Sequence, residues 1–274
     1  MTRAPRMFFF VALLLSASAL PAQDAGTGAL VDHDVDVFLQ DAADIFTAPG
    51  SWDGGDWLNV GIVAAATAGA YLIDEDVRAW SLDNQVAGRK DWLAVADLYG
   101  SGLVSGAAGA LTYAGGLVFD DEWTRVTGRM ILQSLIYSGI INQLGKRLFG
   151  RARPFTGEGR GAFRFLRNDY PHKAFPSGHA TASFALSSTL ARRVGCLPFS
   201  IFLYTLSTAT VLQRIDADKH WLSDTVLGAA IGAFIGIAVV QMEEEREASA
   251  SARVLPLAAG ARGHVPLFRV AVGF

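Results

Sequence analysis

A single cysteine, Cys196, stands in 274 residues, so the chain has no internal disulfide and no thiolate cluster for a metal. Charge is scarce as well: 18% of residues are Asp, Glu, Lys or Arg against 51% hydrophobic, and mean hydropathy is +0.30. That is apolar for a soluble chain of this size and modest for a polytopic membrane protein, so the balance leans towards membrane association. A surplus of positive charge is missing too. With 23 basic and 26 acidic side chains, the net charge is −3. The basic residues gather in one stretch, Arg147 to Lys173, instead of spreading over the chain, which argues against a nucleic-acid partner. No break in composition calls for two globular units.

Arg3 and Arg6 precede the apolar run Met7 to Leu15, and small residues follow at Ala17-Ser18-Ala19 and Leu20-Pro21-Ala22. This is the layout of an export signal over residues 1–22, with a mature start near Gln23. Residues 23–56 read as an acidic, amphipathic lead-in segment that lies against the rest and buries Val35, Val37, Phe38 and Phe46. Six uncharged intervals follow: Trp57 to Ile73, Leu98 to Phe119, Met130 to Gly145, Ala174 to Ala191, Val194 to Gln213 and Thr225 to Met242. Each is near the length at which an α-helix crosses a hydrocarbon layer, so residues 57–242 are expected to form an all-α bundle of six helices. Gly228, Gly232 and Gly236 recur every four residues, and Gly102 and Gly106 repeat the spacing, putting small residues where a neighbouring backbone can come close. In the tail, 243–274, Ala252 to Leu257 could pair with Val265 to Phe274 across Gly260 to Gly263 as a short C-terminal β-hairpin.

Three polar clusters interrupt this apolar background: Lys146-x6-Arg153-Pro154, Pro176-Ser177-Gly178-His179, and Arg214-x5-His220-x3-Asp224. Each lies where an uncharged interval begins or ends, so antiparallel helices could bring all three to one end of the molecule. A phosphate ester carries about two negative charges and several acceptor oxygens, and its site needs fixed donors. Lys146, Arg153 and Arg214 can supply them, the arginines through paired hydrogen bonds. The second cluster reads as a helix start, with Pro176 in the first turn, Ser177 as a cap and Gly178 letting an anion approach the backbone amides. His179 then stands at the rim as a general acid for the leaving oxygen. His220 and Asp224 are four apart; on a helix starting near Lys219 they share a face. The carboxylate would fix one ring nitrogen and leave the other as a nucleophile towards phosphorus. No zinc or paired-metal spacing occurs, and this chemistry requires no metal or other cofactor.

Over about Trp57 to Met242 these motifs make the chain resemble the type 2 phosphatidic acid phosphatase (PAP2) family, related to bacterial class A acid phosphatases and vanadium haloperoxidases. The resemblance implies a six-helix all-α fold in which Lys146, Arg153, Ser177, Gly178 and Arg214 hold phosphate. His179 is then the acid, His220 the nucleophile and Asp224 its partner, with a phosphohistidine intermediate. Two departures stand out. Gln213 replaces the serine common before the third-motif arginine, and it can still donate a hydrogen bond. Ile215 to Lys219 is more charged than usual, so acidic side chains near the mouth would disfavour highly anionic substrates. The expected substrate is a lipid phosphate or pyrophosphate. A soluble phosphomonoester, a vanadate-dependent peroxidase and a non-catalytic lipid-binding membrane protein are the alternatives. The expected place is exported and membrane-associated, in the inner membrane or periplasm of a bacterium. The sequence leaves the oligomeric state open.

Overall fold

The computed structural model describes residues 25–85, 89–167 and 169–254, and these are almost entirely helical. The export signal lies outside the described residues, as does most of the hairpin. There are nine α-helices among the described residues, where six intervals predicted six. In chain order they are α1 (Ala25–Thr47), α2 (Gly54–Leu72), α3 (Asp74–Asp83), α4 (Arg89–Tyr99), α5 (Gly102–Val118), α6 (Glu122–Phe149), α7 (Gly178–Val194), α8 (Leu197–Asp216) and α9 (Leu222–Val254). The surplus arises where charge does not interrupt a helix and where a turn carries no charge. The lead-in segment is itself a helix, the charged stretch 74–83 continues α2 after a 53° bend, and Gly100-Ser101 splits Leu98 to Phe119. For the same reason α9 runs through Glu243-Glu244-Glu245-Arg246 to Val254, so residues 252–254 are helical and not the start of a strand.

Local chemistry sets several ends. Asp53 opens α2 with a capping box: its Oδ1 accepts from the Gly55 and Asp56 amides while Asp56 accepts from the Asp53 amide. Asp121 caps α6 by accepting from Thr124 N at 2.9 Å. Gly150 stops α6 in the left-handed conformation, φ +52°, where an added Cβ would collide with the Arg164 carbonyl at 1.9 Å.

Helix α7 is the hub, packing on α6, α8 and α9. Its buried face is made of Ala180, Thr181, Ala185, Ser188 and Thr189, small enough for α9 to come into backbone contact. A Cβ on Gly228, Gly232 or Gly236 would fall 2.5 Å from Ser177 O, 2.2 Å from Thr181 O or 2.7 Å from Ala185 O, so this glycine stripe does what its spacing predicts. Gly102 and Gly106 do not: nothing lies within 4 Å of either, and the close α5–α6 approach uses Gly116 and Gly128 against the Arg125 and Tyr113 backbones. Tyr137, Met130, Val239 and Val240 form one core between α1, α6 and α9; Ile131, Leu186, Leu190 and Leu203 form another between α6, α7 and α8.

Helix α1 is held by charge as much as by apolar burial. Asp34, Val37, Asp41 and Ile45 share its buried face. Asp34 accepts from Arg129 Nη1 at 2.7 Å and from Arg125, and Asp41 accepts from Gln133 at 2.8 Å and Arg246 at 2.5 Å. Val35 and Phe46, expected to bury, are exposed because the two carboxylates take that face inward with their arginines.

Candidate active site

The chain from Gly150 to Ser177 folds back over the ends of α6, α7 and α9, and its backbone laces the basic stretch into place. Ala152 N donates to Ala162 O at 2.8 Å, Arg153 N to Pro171 O at 2.8 Å and Ala174 N to Arg151 O at 3.1 Å. A solvated basic loop would look different: Arg151 and Arg153 are both buried.

Lys146, in the last turn of α6, donates through Nζ to the Lys173 carbonyl at 3.0 Å and the Pro176 carbonyl at 2.5 Å. Ser177 N donates to the Asp224 carbonyl at 2.8 Å, which ties the start of α7 directly to the first turn of α9. Pro176 precedes α7 instead of lying in its first turn. Ser177 takes the N-cap position without a capping bond, and its hydroxyl is buried with no hydrogen-bond partner among the described residues. An added Cβ at Gly178 would make ordinary contacts, 3.6 Å from Asn142 Oδ1 and 3.8 Å from Lys146 Cε. What the glycine keeps clear is the approach to the α7 amides. Arg153 stacks over the Tyr170 ring, 4.2 Å from its centroid, and its Nε is another buried donor without a partner among the described residues.

His220 is buried and stands before α9, which begins at Leu222 and not near Lys219; Asp224 lies in the first turn. The two still face each other, His220 Nδ1 to Asp224 Oδ2 at 3.4 Å, long for a hydrogen bond. Asp224 is held by the Trp221 amide at 2.8 Å and by Arg151 Nη1 at 2.5 Å. Burial above all, then the charges of Lys146, Arg153, Arg214 and His179, keep His220 well below the ordinary histidine range, so it is neutral at pH 7. These four groups, from α6, the loop that follows it, α7 and α8, act on one ring. Burial and the neighbouring Arg153 likewise push Lys146 down to about 7, against the opposing pull of Asp224.

His179 lies in the first turn of α7 and is partly exposed. Burial and Arg214 push it down to about 4, while Asp97 opposes them. Asp97, at the end of α4, sits 3.4 Å from His179 Nε2 and bonds directly to Arg214 Nη2. Gly100 makes this approach feasible, since a Cβ there would meet Thr210 Cγ2 at 2.3 Å and His179 Cβ at 3.2 Å. Gln213 acts as an acceptor, taking Arg214 Nε at 2.5 Å, and not as the donor its position suggested. Asp218 does not add free negative charge at the mouth: Arg78 clamps it with two bonds, 2.6 and 2.8 Å.

The residues missed by sequence reasoning are Asp97, Arg151 and Asp74. Asp97 and Asp74 were visible only as the charges that bracket apolar intervals, and Arg151 was one arginine among seven basic residues. Beside His179 and Gly178 a cleft of about 680 Å³ opens between α5 and α6. Leu132, Leu135, Ile136, Ile140 and Leu144 make its apolar wall, Ser138, Asn142, Gln143 and Arg147 add polar groups, and Gly102, Gly106 and Gly139 leave it open.

Residues 128–248 match the family model of the PAP2 superfamily. Over 117 residues the chain is 30% identical to a lipid A 1-phosphatase of Porphyromonas gingivalis, covering 42% of this chain and 23% of that protein. It is 29% identical over 117 residues to a lipid A 1-phosphatase of Rhizobium johnstonii, covering 40% and 45%. The chain thus spans less than half the length of these curated relatives. Among solved structures it resembles the first transmembrane PAP2 type phosphatidylglycerolphosphate phosphatase from Bacillus subtilis, with TM-score 0.54 and 17% identity over 70% of this chain and 95% of that one. At that identity the likeness is one of fold.

Proposed function

We propose that this chain, whose residues 128–248 belong to the PAP2 superfamily, is a phosphatase that hydrolyses a lipid phosphate or pyrophosphate through a phosphohistidine on His220. The observation that carries the reading is the buried, neutral His220 ring with Asp224 behind it and Lys146, Arg153, Arg214 and His179 around it. In the first step Nε2 attacks phosphorus; the P–N bond forms as the P–O bond to the alcohol breaks, and protonated His179 gives its proton to the leaving oxygen. Asp224 holds the ring and offsets the positive charge it gains. In the second step neutral His179 takes a proton from water, which attacks phosphorus. The P–N bond breaks, its electron pair returns to the ring, and inorganic phosphate leaves. Side-chain cations meet the phosphate charge throughout, so activity is expected to survive a chelator.

The cleft favours a lipid over a small ester. His179 protonates the leaving group, so the leaving group lies on the His179 side, and that is where the apolar walls begin. A hydrocarbon chain there covers leucine and isoleucine side chains that water otherwise wets. The direct test compares detergent-dispersed phosphatidylglycerophosphate and lipid A 1-phosphate with p-nitrophenyl phosphate. Gly106→Leu or Gly139→Leu should lower the lipid-to-small-ester ratio of kcat/KM by about tenfold or more. An unchanged ratio would favour the soluble-ester reading. His220→Ala should abolish turnover and the acid-labile phosphoenzyme, and turnover that persists would remove the histidine mechanism altogether.

A further inference from the structure

On the Oδ1 side of Asp224, where Oδ2 faces His220, sits a charge cluster that the chemistry above does not use. Arg151 is completely buried. Its Nη1 donates to Asp224 Oδ1 at 2.5 Å and to Ser223 Oγ at 2.8 Å, its Nη2 to Asp74 Oδ2 at 2.8 Å, and its Nε to the Arg160 carbonyl at 3.0 Å. Asp74 also accepts from Ser223 N at 2.9 Å and Ser223 Oγ at 2.6 Å, so it grips the first turn of α9 from outside. The rings of Tyr71, Phe163, Phe175 and Trp221 surround the guanidinium, with centroids 5.2 to 5.9 Å away, and exclude water. Asp74 comes from the bend between α2 and α3, well outside residues 128–248.

We propose that Asp74 and Arg151 are positioning residues that fix Asp224 behind His220 and keep its negative charge available to the ring. The proposal rests on His220 being the nucleophile. A buried carboxylate paired with one arginine alone would be neutralised by it and anchored towards it. Burial raises the proton affinity of Asp224 and Arg151 opposes it; two ionised carboxylates on one guanidinium leave one net negative charge beside the imidazole, which becomes positive as the P–N bond forms. The contacts also set geometry: Arg151 holds Oδ1, so that Oδ2 is the oxygen presented to Nδ1.

The charge count gives a signed test. The groups facing His220 are Asp224 from α9, Lys146 from α6, Arg153 from the following loop, Arg214 from α8 and His179 from α7. Asp74→Asn removes a negative charge behind this set, making the protonated ring less favourable, so the acid limb of kcat/KM should move to lower pH. Arg151→Met removes a positive charge and should move it to higher pH, whereas Arg151→Lys should leave it near the parent position. Asp74→Asn should also lower kcat for p-nitrophenyl phosphate about tenfold with KM changed less than about twofold. Thermal unfolding of each full-length variant separates these effects from loss of fold. A folded Asp74→Asn protein with parental kcat and an unmoved limb would overturn the proposal, even if Arg151→Met does not fold. So would limbs that coincide in all variants while activity merely follows melting temperature. Quenched phosphoenzyme, measured in the parent and in His220→Ala, reports on the nucleophile separately: its persistence in His220→Ala would sink that reading whatever the pH profiles show.

Discussion

Both histidines lose proton affinity to burial and to nearby cations, yet the mechanism needs one neutral and one protonated. The substrate resolves this. Burial first and then Arg214 push His179 down to about 4; a phosphate dianion placed beside Arg214 and Lys146 offsets the cationic share of that shift, so the proton affinity of His179 should rise on binding. In the proposed mechanism buried His220, with Asp224 3.4 Å from its ring, is the group that attacks. Binding of phosphate or vanadate near pH 7 should therefore take up about one proton. Calorimetry in buffers of different ionisation enthalpy measures this directly, and His179→Gln should lower the uptake to the share taken by Lys146, which is itself pushed down to about 7. Proton-neutral binding in the parent would assign the acid role elsewhere.

Asp97 plays two parts at this scale. It occupies Arg214, a phosphate ligand in the proposed reading, and it is the charge that raises the proton affinity of His179. Asp97→Asn should then tighten vanadate binding, because Arg214 is released, while lowering kcat, because His179 holds its proton less well. A fall in both affinity and kcat would mean that Asp97 merely orients Arg214. The eight motif residues were legible because each belongs to a spaced pattern. Asp97 and Arg151 were not, since their importance comes from what they touch across the fold.

At the scale of elements, one residue type does two opposite jobs. Gly232 lets α9 touch α7, so Gly232→Ala forces a Cβ to 2.2 Å from the Thr181 carbonyl and should cost about 2 kcal/mol or more while loosening the Ser177–Asp224 junction. Gly106→Ala meets nothing within 4 Å and replaces a poor helix former, so it should stabilise by about 0.5–1 kcal/mol. Thermal unfolding of both variants in one detergent checks the contrast. Spacing alone made the two sets look alike. A repeat of four announces a bare stripe on a helix, but whether a neighbour or a cleft lies over it depends on tertiary packing. The same limit explains the helix count: uncharged runs marked where apolar faces lie, whereas α3 and the charged end of α9 are helices in which Asp74, Glu243, Glu244 and Glu247 find partners in space.

For the molecule as a whole, the sequence made the all-α class and the meeting of three motifs legible because both follow from periodicity and order. It did not disclose that charge would fasten α1, through Asp34 and Asp41, to α6 and α9. With so much charge turned inward, apolar side chains are left outside. Trp57, Leu58 and Ile62 on α2, Leu103 and Leu111 on α5, Ile136, Ile140 and Leu144 on α6, and Leu197, Ile201 and Phe202 on α8 are all exposed. Scattered exposed leucines are ordinary, but runs of them on four helices are a surface suited to lipid. By length and composition α9 could also cross a bilayer, although 56% of its apolar window is packed inside the molecule. The expected outcome is that the expressed protein stays with the membrane pellet through an alkaline carbonate wash and is released by detergent as a folded, active species. Wash conditions that strip peripheral proteins act on charge and leave apolar contact with lipid intact, so they separate the two modes of attachment. Recovery as a monodisperse protein in detergent-free buffer would mean that these faces meet another protein surface instead, and the substrate would then have to reach the cleft from water.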